Sequence, residues 1–134
     1  MPSKIRTGGQ FRTVYSLGQR FHSPYFSAFF LPTETGEVRL GITVTRKVGK
    51  AVLRNFCKRR IRALFRHHHS DVPIGVGYDL VINAKTELAT AEYSLVEAAF
   101  QQTMRRFYAV LQKRAHESSV DNISLGEMGR EGQQ

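Results

Sequence analysis

Hydrophobic and polar residues alternate along the segment Val38–Thr45, and this period of two predicts a β-strand. Its even-numbered positions are all aliphatic and would face a core, whereas its odd-numbered positions would face away. An earlier aromatic segment, Tyr25–Leu31, predicts a strand that ends at Pro32, with residues 32–37 as the connecting loop. Both faces of this aromatic strand are apolar, so we expect its second face to be covered by a lid or a ligand.

Three segments carry the 3.6-residue periodicity of amphipathic helices. The first begins after Thr7, which forms a capping-box pattern with Gln10, and ends near Leu17. The second runs from about Ala51 to Arg66, and the third runs from Glu92 to Lys113. The predicted buried stripe of the second helix consists of Leu53, Phe56, Cys57, Ile61 and Leu64; that of the third consists of Val96, Ala99, Phe100, Met104, Phe107, Val110 and Leu111.

A further strand is predicted at Tyr78–Asn83, between the second and third helices. The order α-β-β-α-β-α predicts an α+β fold in which helices pack on a small mixed sheet. The length of 134 residues suits a single domain, which we place at residues 1–115. Residues 116–134 are rich in Ser, Gly and Gln and nearly free of bulky side chains, which predicts a disordered C-terminal tail.

The distribution of charge adds a functional expectation to this outline. The formal net charge is +9, but residues 1–70 carry +12 and residues 71–134 carry −3. Between Val38 and Ser70 there are ten Lys or Arg residues and no Asp or Glu. A surface that is merely solvated intersperses charges of both signs, so this segment indicates a polyanionic partner.

The basic residues of the second helix fall on the face opposite its apolar stripe, together with Asn55. Like charges four residues apart repel each other by a few tenths of a kcal/mol, so a phosphate backbone explains this face better than stability does. The alternative is a solvated face without a partner. Arg60 falls inside the apolar arc, where its stem would pack and its head would reach solvent. The candidate nucleic-acid contacts are Arg46, Lys47, Lys50, Arg54, Asn55, Lys58, Arg59, Arg62 and Arg66.

Other chemistries find little support in the sequence. A single cysteine, Cys57, forms no internal disulfide or Cys-based zinc site, fits a reducing cytosol, and is expected to be inert packing. No signal peptide or membrane-spanning stretch is present, so we expect a cytoplasmic protein without a membrane partner. The run His67–His69 with Asp71 does not converge on one ion along a helix, so we predict no metal site. We also predict no catalytic side chain.

The segment Arg54–Arg62 resembles the signature of bacterial ribonuclease P proteins. That signature is Arg-Asn-x-x-Lys-Arg-x-x-Arg on a helix, and every fixed position is filled here. The preceding Arg46–Val52 is similar to the family's basic lead-in, and Tyr25–Phe29 to its aromatic first strand. Lys4-Ile5-Arg6 followed by Phe11 and Tyr15 resembles the family's basic start and first helix, so that the resemblance extends over about residues 4–112.

The resemblance implies a protein subunit of ribonuclease P that assists endonucleolytic 5′ maturation of transfer RNA. Cleavage would belong to a catalytic RNA subunit with Mg²⁺, without an organic cofactor. The implied partners are that RNA and precursor tRNA, and no obligate protein partner is indicated. The family's fold is ribosomal-protein-like and has a left-handed βαβ crossover around the signature helix. By position, the nine candidate contacts would meet RNA, and Phe11, Tyr15 and Phe29 would line a cleft for the single-stranded 5′ leader.

The residues themselves agree with such a cleft. Phe11 and Tyr15 lie four apart on one helix face, and Phe29 shares a sheet face with Arg39, which completes the predicted leader-binding set. Aromatic rings edged by cations suit unpaired nucleotides, because stacking contributes about 1–3 kcal/mol per base and tolerates any sequence. The alternative for these aromatics is plain core packing. Two alternatives for the function also stay open: a structural RNA-binding protein resembling a ribosome component, and a metal-dependent nuclease acting alone.

Overall fold

The structure is a computed structural model that describes residues 3–72 and 76–127. Within these residues, five strands and three α-helices are joined by short 3₁₀ turns at Arg46–Val48, His69–Asp71 and Thr86–Ala89. No helix in the described part of the chain is long and apolar enough to cross a membrane. The strands are β1 (Ser3–Lys4), β2 (Gln19–His22), β3 (Phe26–Thr33), β4 (Val38–Thr43) and β5 (Gly77–Ala84), and the helices are α1 (Gly8–Leu17), α2 (Ala51–His68) and α3 (Tyr93–Glu127).

The strands form one mixed sheet in the order β1-β4-β5-β3-β2. β4 and β5 are parallel neighbours, and α2 lies in the crossover that connects them. β3 pairs antiparallel with both β5 and β2, and β1 adds a short parallel pair to β4. The predicted α+β fold with a small mixed sheet is therefore confirmed. The sequence pattern did not reveal β1 and β2, which are too short to show a period.

Apolar side chains cover both faces of the sheet. The main core lies between the sheet and the helices α2 and α3, where the rings of Phe30 and Phe107 stack with centroids 4.0 Å apart. The aliphatic positions of β4 pack against this core, as their alternation predicts. On the opposite face a smaller core of Ile5, Val14 and Val81 lies under α1. The lid expected over the second face of the aromatic strand is thus α1.

Two local features place α1 on the sheet. At its start, Gln10 N donates to Thr7 Oγ1 at 3.1 Å and Thr7 N donates to Gln10 Oε1 at 3.1 Å, which confirms the predicted capping box. In β4, Gly41 leaves room for the ring of Phe11, because a Cβ on Gly41 would lie 2.7 Å from that ring. A larger residue at position 41 would therefore push α1 away from the sheet.

Some predicted boundaries are wrong for identifiable reasons. β3 continues through Pro32 to Thr33, whereas we expected Pro32 to end it. β2 pairs with β3 only as far as Phe30, so Pro32 lies where one edge of β3 has no neighbouring strand and a missing N–H costs little. In α2, Leu53 is 42% exposed and packs over Gly49, whereas Phe65, which the predicted stripe did not include, is buried.

The last helix extends beyond its predicted end at Lys113 and reaches Glu127. Residues 116–127 are thus assigned to α3, residues 128–134 lie outside the described part of the chain, and disorder of the tail at 116–134 stays a prediction. A composition without bulky residues argues against a packed core, but it does not stop an anchored helix from continuing. Helix nucleation is the costly step, and each further residue adds a hydrogen bond at little cost.

Candidate nucleic-acid interface

The basic face predicted on α2 and its preceding loop is open to solvent. None of its nine residues forms an ion pair with a carboxylate whose position the structure describes; the described carboxylates that have such contacts are Asp79, which pairs with Arg39, and Asp71 and Glu97, which lie near His68. A concentration of positive charge therefore remains available to a partner. Seven members are exposed (Arg46, Lys47, Lys50, Asn55, Arg59, Arg62 and Arg66), and Arg54 and Lys58 are half-buried.

The junction between the loop and α2 adds backbone donors to this charge. Gly49 turns the chain with a φ of +145°, a conformation that strongly favours glycine. Arg54 Nη1 donates to the Gly49 carbonyl at 3.1 Å and ties the loop to the first turn of the helix. Lys50 is the N-cap but makes no side-chain capping bond, and the first turn contains no acidic residue. The positive end of the α2 dipole thus lies within the basic surface, an arrangement suited to a phosphate.

Arg60 differs from these residues, because its guanidinium has partners within the chain. Its guanidinium lies 4.6 Å from the centroid of the Phe56 ring, and its Nη1 donates to the carbonyls of Ala91 at 2.6 Å and Leu88 at 3.4 Å. We expected its stem to pack and its head to reach solvent; the residue is half-buried, and its guanidinium is bonded to carbonyls of the segment that precedes α3. Arg60 therefore links α2 to that segment.

The three predicted aromatic residues come together between α1 and the sheet. The rings of Tyr15 and Phe29 meet edge to face with centroids 4.9 Å apart, and Phe11 lies 6.4 Å from Tyr15. All three are half-buried and pack against the smaller core. Core packing and leader binding are therefore compatible for these aromatics, because each ring packs against the smaller core and keeps part of its surface exposed. We call Phe11, Tyr15 and Phe29 the aromatic cleft.

A row of polar side chains lies beside the aromatic cleft. The strand register aligns Thr43 with Asn83 and Asn83 with Ser27, across β4, β5 and β3. The hydroxyl of Tyr15 donates to Asn83 Oδ1 at 2.9 Å and lies 3.2 Å from Thr43 Oγ1. Sequence analysis missed Asn83, because only the pairing of β4 with β5 reveals that it shares a face with Thr43. The sequence signal available was the alternation within β5, which places Asn83 on the face opposite Leu80 and Ile82, the residues that join the main core.

Two arginines lie near the cleft, and they have different partners. Arg39 was predicted there, but its guanidinium is held by Asp79 through two hydrogen bonds of 2.6 and 2.8 Å. The cation that lies over Phe29 is Arg20, 5.5 Å from the ring centroid. Arg20 went unnoticed because β2 was not predicted. Once β2 pairs with β3, Arg20 and Phe29 are register partners.

Two histidines of the run His67–His69 have polar partners within the chain. His68 Nε2 lies 2.9 Å from Glu97 Oε2, and His69 Nδ1 lies 2.9 Å from the Phe65 carbonyl. Among the residues that the structure describes, no group of three or more His, Cys, Asp or Glu side chains is placed to hold a metal ion.

Cys57 is fully buried, and its burial raises the pKa of the thiol, an effect partly offset by Arg60. A protonated, buried thiol is a packing residue.

The fold is α+β with one mixed sheet, and it combines a helix whose cations have no described carboxylate partner with an aromatic cleft. These features define a nucleic-acid-binding protein. The profile of the ribonuclease P family matches residues 2–108. The ribonuclease P protein component of Nitratiruptor sp. is 36% identical over 102 residues, which cover 76% of this chain and 89% of that protein. The corresponding protein of Desulfovibrio desulfuricans is 34% identical over 105 residues, which cover 77% of this chain and 81% of the relative.

Solved structures of ribonuclease P proteins also match the fold of this chain. The ribonuclease P protein of Thermotoga maritima superposes with a TM-score of 0.69 at 28% identity, covering 78% of this chain and 96% of that one. The protein of Staphylococcus aureus superposes with a TM-score of 0.64 at 25% identity, covering 83% and 96%. The chain belongs to the ribonuclease P protein family. Its predicted role as a protein subunit in 5′ processing of tRNA is confirmed by these matches.

Proposed function

We propose that this chain binds the catalytic RNA subunit of ribonuclease P through α2 and the preceding loop, and binds the 5′ leader of precursor tRNA in the aromatic cleft. The observation that carries the proposal is the face of α2, whose cations have no described carboxylate partner. From Arg54 to Arg66 this face extends along about 18 Å of helix. A surface of that length can meet several phosphates at once, and each neutralised phosphate releases counterions.

The aromatic cleft suits the leader because a leader is single-stranded and varies in sequence. Stacking on an aromatic ring contributes about 1–3 kcal/mol per base and does not depend on which base is present. Tyr15 and Phe29 offer ring surface at the edge of α1, and Arg20 adds a cation over Phe29. In this proposal the cleft supplies affinity and position, so that the cleavage site reaches the RNA subunit already oriented.

We assign bond cleavage to the RNA subunit acting with Mg²⁺. The donor set of the described residues does not suit that ion: Mg²⁺ prefers carboxylate and other oxygen ligands, and the proposed RNA-binding face consists of cations. The residues of this chain would bind, orient and neutralise charge, while the metal ion would stabilise the charge that develops during phosphodiester hydrolysis. Because both proposed partners are RNA molecules of the tRNA maturation pathway, we place the chain in the cytoplasm.

Reconstitution tests this function. The purified chain is added to a candidate RNA subunit and precursor tRNA at a magnesium concentration too low for the RNA alone, and release of the 5′ leader is measured. We expect the chain to restore processing, and a variant with Arg54, Arg59 and Arg62 all changed to Ala to restore much less. If the wild-type chain restores nothing, the structural RNA-binding alternative is favoured. If it cuts precursor without any RNA subunit, the alternative of a nuclease acting alone is favoured.

A further inference from the structure

A second concavity lies at the β1 edge of the sheet. It has a volume of about 320 Å³ and is bounded by β1, β4, α1 and α2. Its walls are apolar and come from Ile5, Phe11, Leu40, Ile42 and Phe65. We call it the edge pocket. Its volume is near the lower end for ligand sites, which fits a single nucleoside-sized group.

The rim of the edge pocket is cationic. Lys58, Arg62 and Arg66 are spaced four residues apart on α2 and therefore lie along one side of that helix. Lys4 contributes a fourth cation from β1. None of these four residues forms an ion pair with a carboxylate whose position is described. An occupant with an apolar, planar part and adjacent negative charge matches this combination.

The floor of the edge pocket has a free strand edge. β1 pairs with β4 only at Arg39 and Leu40, and the Leu40 carbonyl accepts a hydrogen bond from Ile5 N at 3.0 Å. Backbone groups two residues apart in a strand point to the same side, so the N–H and C=O of Ile42 point to this outer edge as well. No described strand covers Ile42 there. Its donor and acceptor lie side by side and can meet the hydrogen-bonding edge of a nucleobase.

We propose that the edge pocket holds one unstacked nucleotide of the catalytic RNA subunit. The base enters between the apolar walls and bonds to the backbone of Ile42, and its flanking phosphates lie on Lys58 and Arg62. The inference rests on the proposed function of the α2 face, with which the rim is continuous. Phe11 belongs to both the aromatic cleft and the pocket wall, but Tyr15, Phe29, Thr43 and Asn83 do not line the pocket, so the proposed nucleotide site is distinct from the rest of the cleft.

A variant that fills the pocket tests the proposal. Ile42→Phe adds bulk inside the pocket and leaves every cation in place, while Val38→Phe makes a similar change on the same face of β4 outside the pocket. We expect Ile42→Phe to lower the affinity for the RNA subunit, measured without precursor tRNA, by about tenfold and to leave the slope of log affinity against log salt concentration unchanged. Val38→Phe should change the affinity less than twofold. Thermal unfolding of both variants shows whether they fold.

The outcomes separate this inference from the proposed function. If Ile42→Phe binds the RNA subunit like the wild type, while Arg59→Ala binds it more weakly, the edge pocket holds no nucleotide and the proposed function stands. If Ile42→Phe weakens only the binding of leader-bearing precursor, the occupant is the leader and the proposal is wrong. If neither variant nor Arg59→Ala affects the RNA subunit, the proposed function itself fails.

A measurement on the wild-type chain covers the case in which Ile42→Phe does not fold. AMP, GMP, CMP and UMP are titrated separately into the isotopically labelled protein, with inorganic phosphate as the control. We expect at least one nucleotide to shift the backbone amide signal of Ile42 and the ring signals of Phe65 in the millimolar range, and phosphate to leave both in place. Shifts of these signals by phosphate alone, or by none of the four nucleotides, would overturn the proposal.

Discussion

Arg39 and Asp79 are joined across the neighbouring strands β4 and β5 by two hydrogen bonds. Arg39 Nε lies 2.8 Å from Asp79 Oδ1, and Arg39 Nη2 lies 2.6 Å from Asp79 Oδ2. The Asp79 side chain is 5% exposed, whereas that of Arg39 is 26% exposed. The hydrogen bond that Arg39 donates to Asp79 raises the pKa of Arg39 above its ordinary value. This pair therefore gives the buried carboxylate of Asp79 a charged partner within the sheet.

Arg39→Ala is expected to lower the free energy of unfolding by roughly 2–3 kcal/mol, because it leaves a buried carboxylate without its partner. Denaturant unfolding measures this loss. The double variant Arg39→Ala with Asp79→Ala should recover part of it, because the unpaired charge is then gone. Binding of precursor tRNA by the folded variant should change less than twofold. A large loss of precursor binding with unchanged stability would return Arg39 to the leader-binding set.

Phe29→Ala is expected to weaken the binding of leader-bearing precursor by about 5- to 150-fold, because the variant lacks a stacking surface worth about 1–3 kcal/mol. Binding of mature tRNA, which has no leader, should not change. Equilibrium binding to the reconstituted holoenzyme measures both. Tyr108→Ala is the control, since Tyr108 is an exposed aromatic residue on α3. Equal losses for precursor and mature tRNA would show that Phe29 serves the fold and not the leader.

Tyr15→Phe removes the hydroxyl of Tyr15 and keeps its ring, so it distinguishes the contributions of the two groups. The hydroxyl bonds to Asn83 and lies close to Thr43, so its removal should cost about 1 kcal/mol of stability. The ring remains, and precursor binding should stay within about threefold of the wild type if stacking dominates. Tyr15→Ala should weaken precursor binding further. If Tyr15→Phe reduces precursor binding as much as Tyr15→Ala does, the hydroxyl and its polar partners bind the leader directly.

Cys57 is expected to resist alkylation in the folded chain. Burial raises the pKa of its thiol, so the reactive thiolate is scarcer than in an exposed cysteine at the same pH. The rate of modification by iodoacetamide at pH 8 should rise steeply only across the denaturant range in which the chain unfolds. The measurement is the mass of the protein against time at each denaturant concentration. Fast modification in the absence of denaturant would contradict the packing role.

The sequence predicts those parts of the fold and site that depend on local periodicity. The 3.6-residue repeat of α2 separates Cys57 and Ile61 from Arg59 and Arg62, and the structure buries the first two and exposes the others. The alternation in β4 likewise predicts which of its side chains face the main core. These features follow from the geometry of a single element, which sets the faces of α2 and β4 even though the exposure of a residue at the end of the stripe, such as Leu53, depends on its neighbours.

The features that the sequence does not reveal depend on register between distant segments. Arg39 meets Asp79 because the parallel pairing of β4 and β5 aligns them, and a shift of one residue would turn Asp79 to the opposite face. Arg20 lies over Phe29 for a similar reason, through the pairing of β2 with β3. The partners of Arg60 are equally hidden from the sequence pattern, because its guanidinium bonds to the Ala91 carbonyl, which lies just before α3 and far along the chain from α2.

The neighbouring residues Arg59 and Arg60 allow the most direct test of the claim that unpaired cations of α2 bind RNA. Arg59 is exposed, whereas Arg60 is held by the Ala91 carbonyl and the Phe56 ring. The measurement is the slope of log affinity for the RNA subunit against log salt concentration, for Arg59→Ala and Arg60→Ala. We predict that Arg59→Ala reduces the steepness by about 0.7–0.9, and that Arg60→Ala keeps the wild-type slope while lowering stability. An unchanged slope for Arg59→Ala, or an equal reduction for both variants, would contradict the claim.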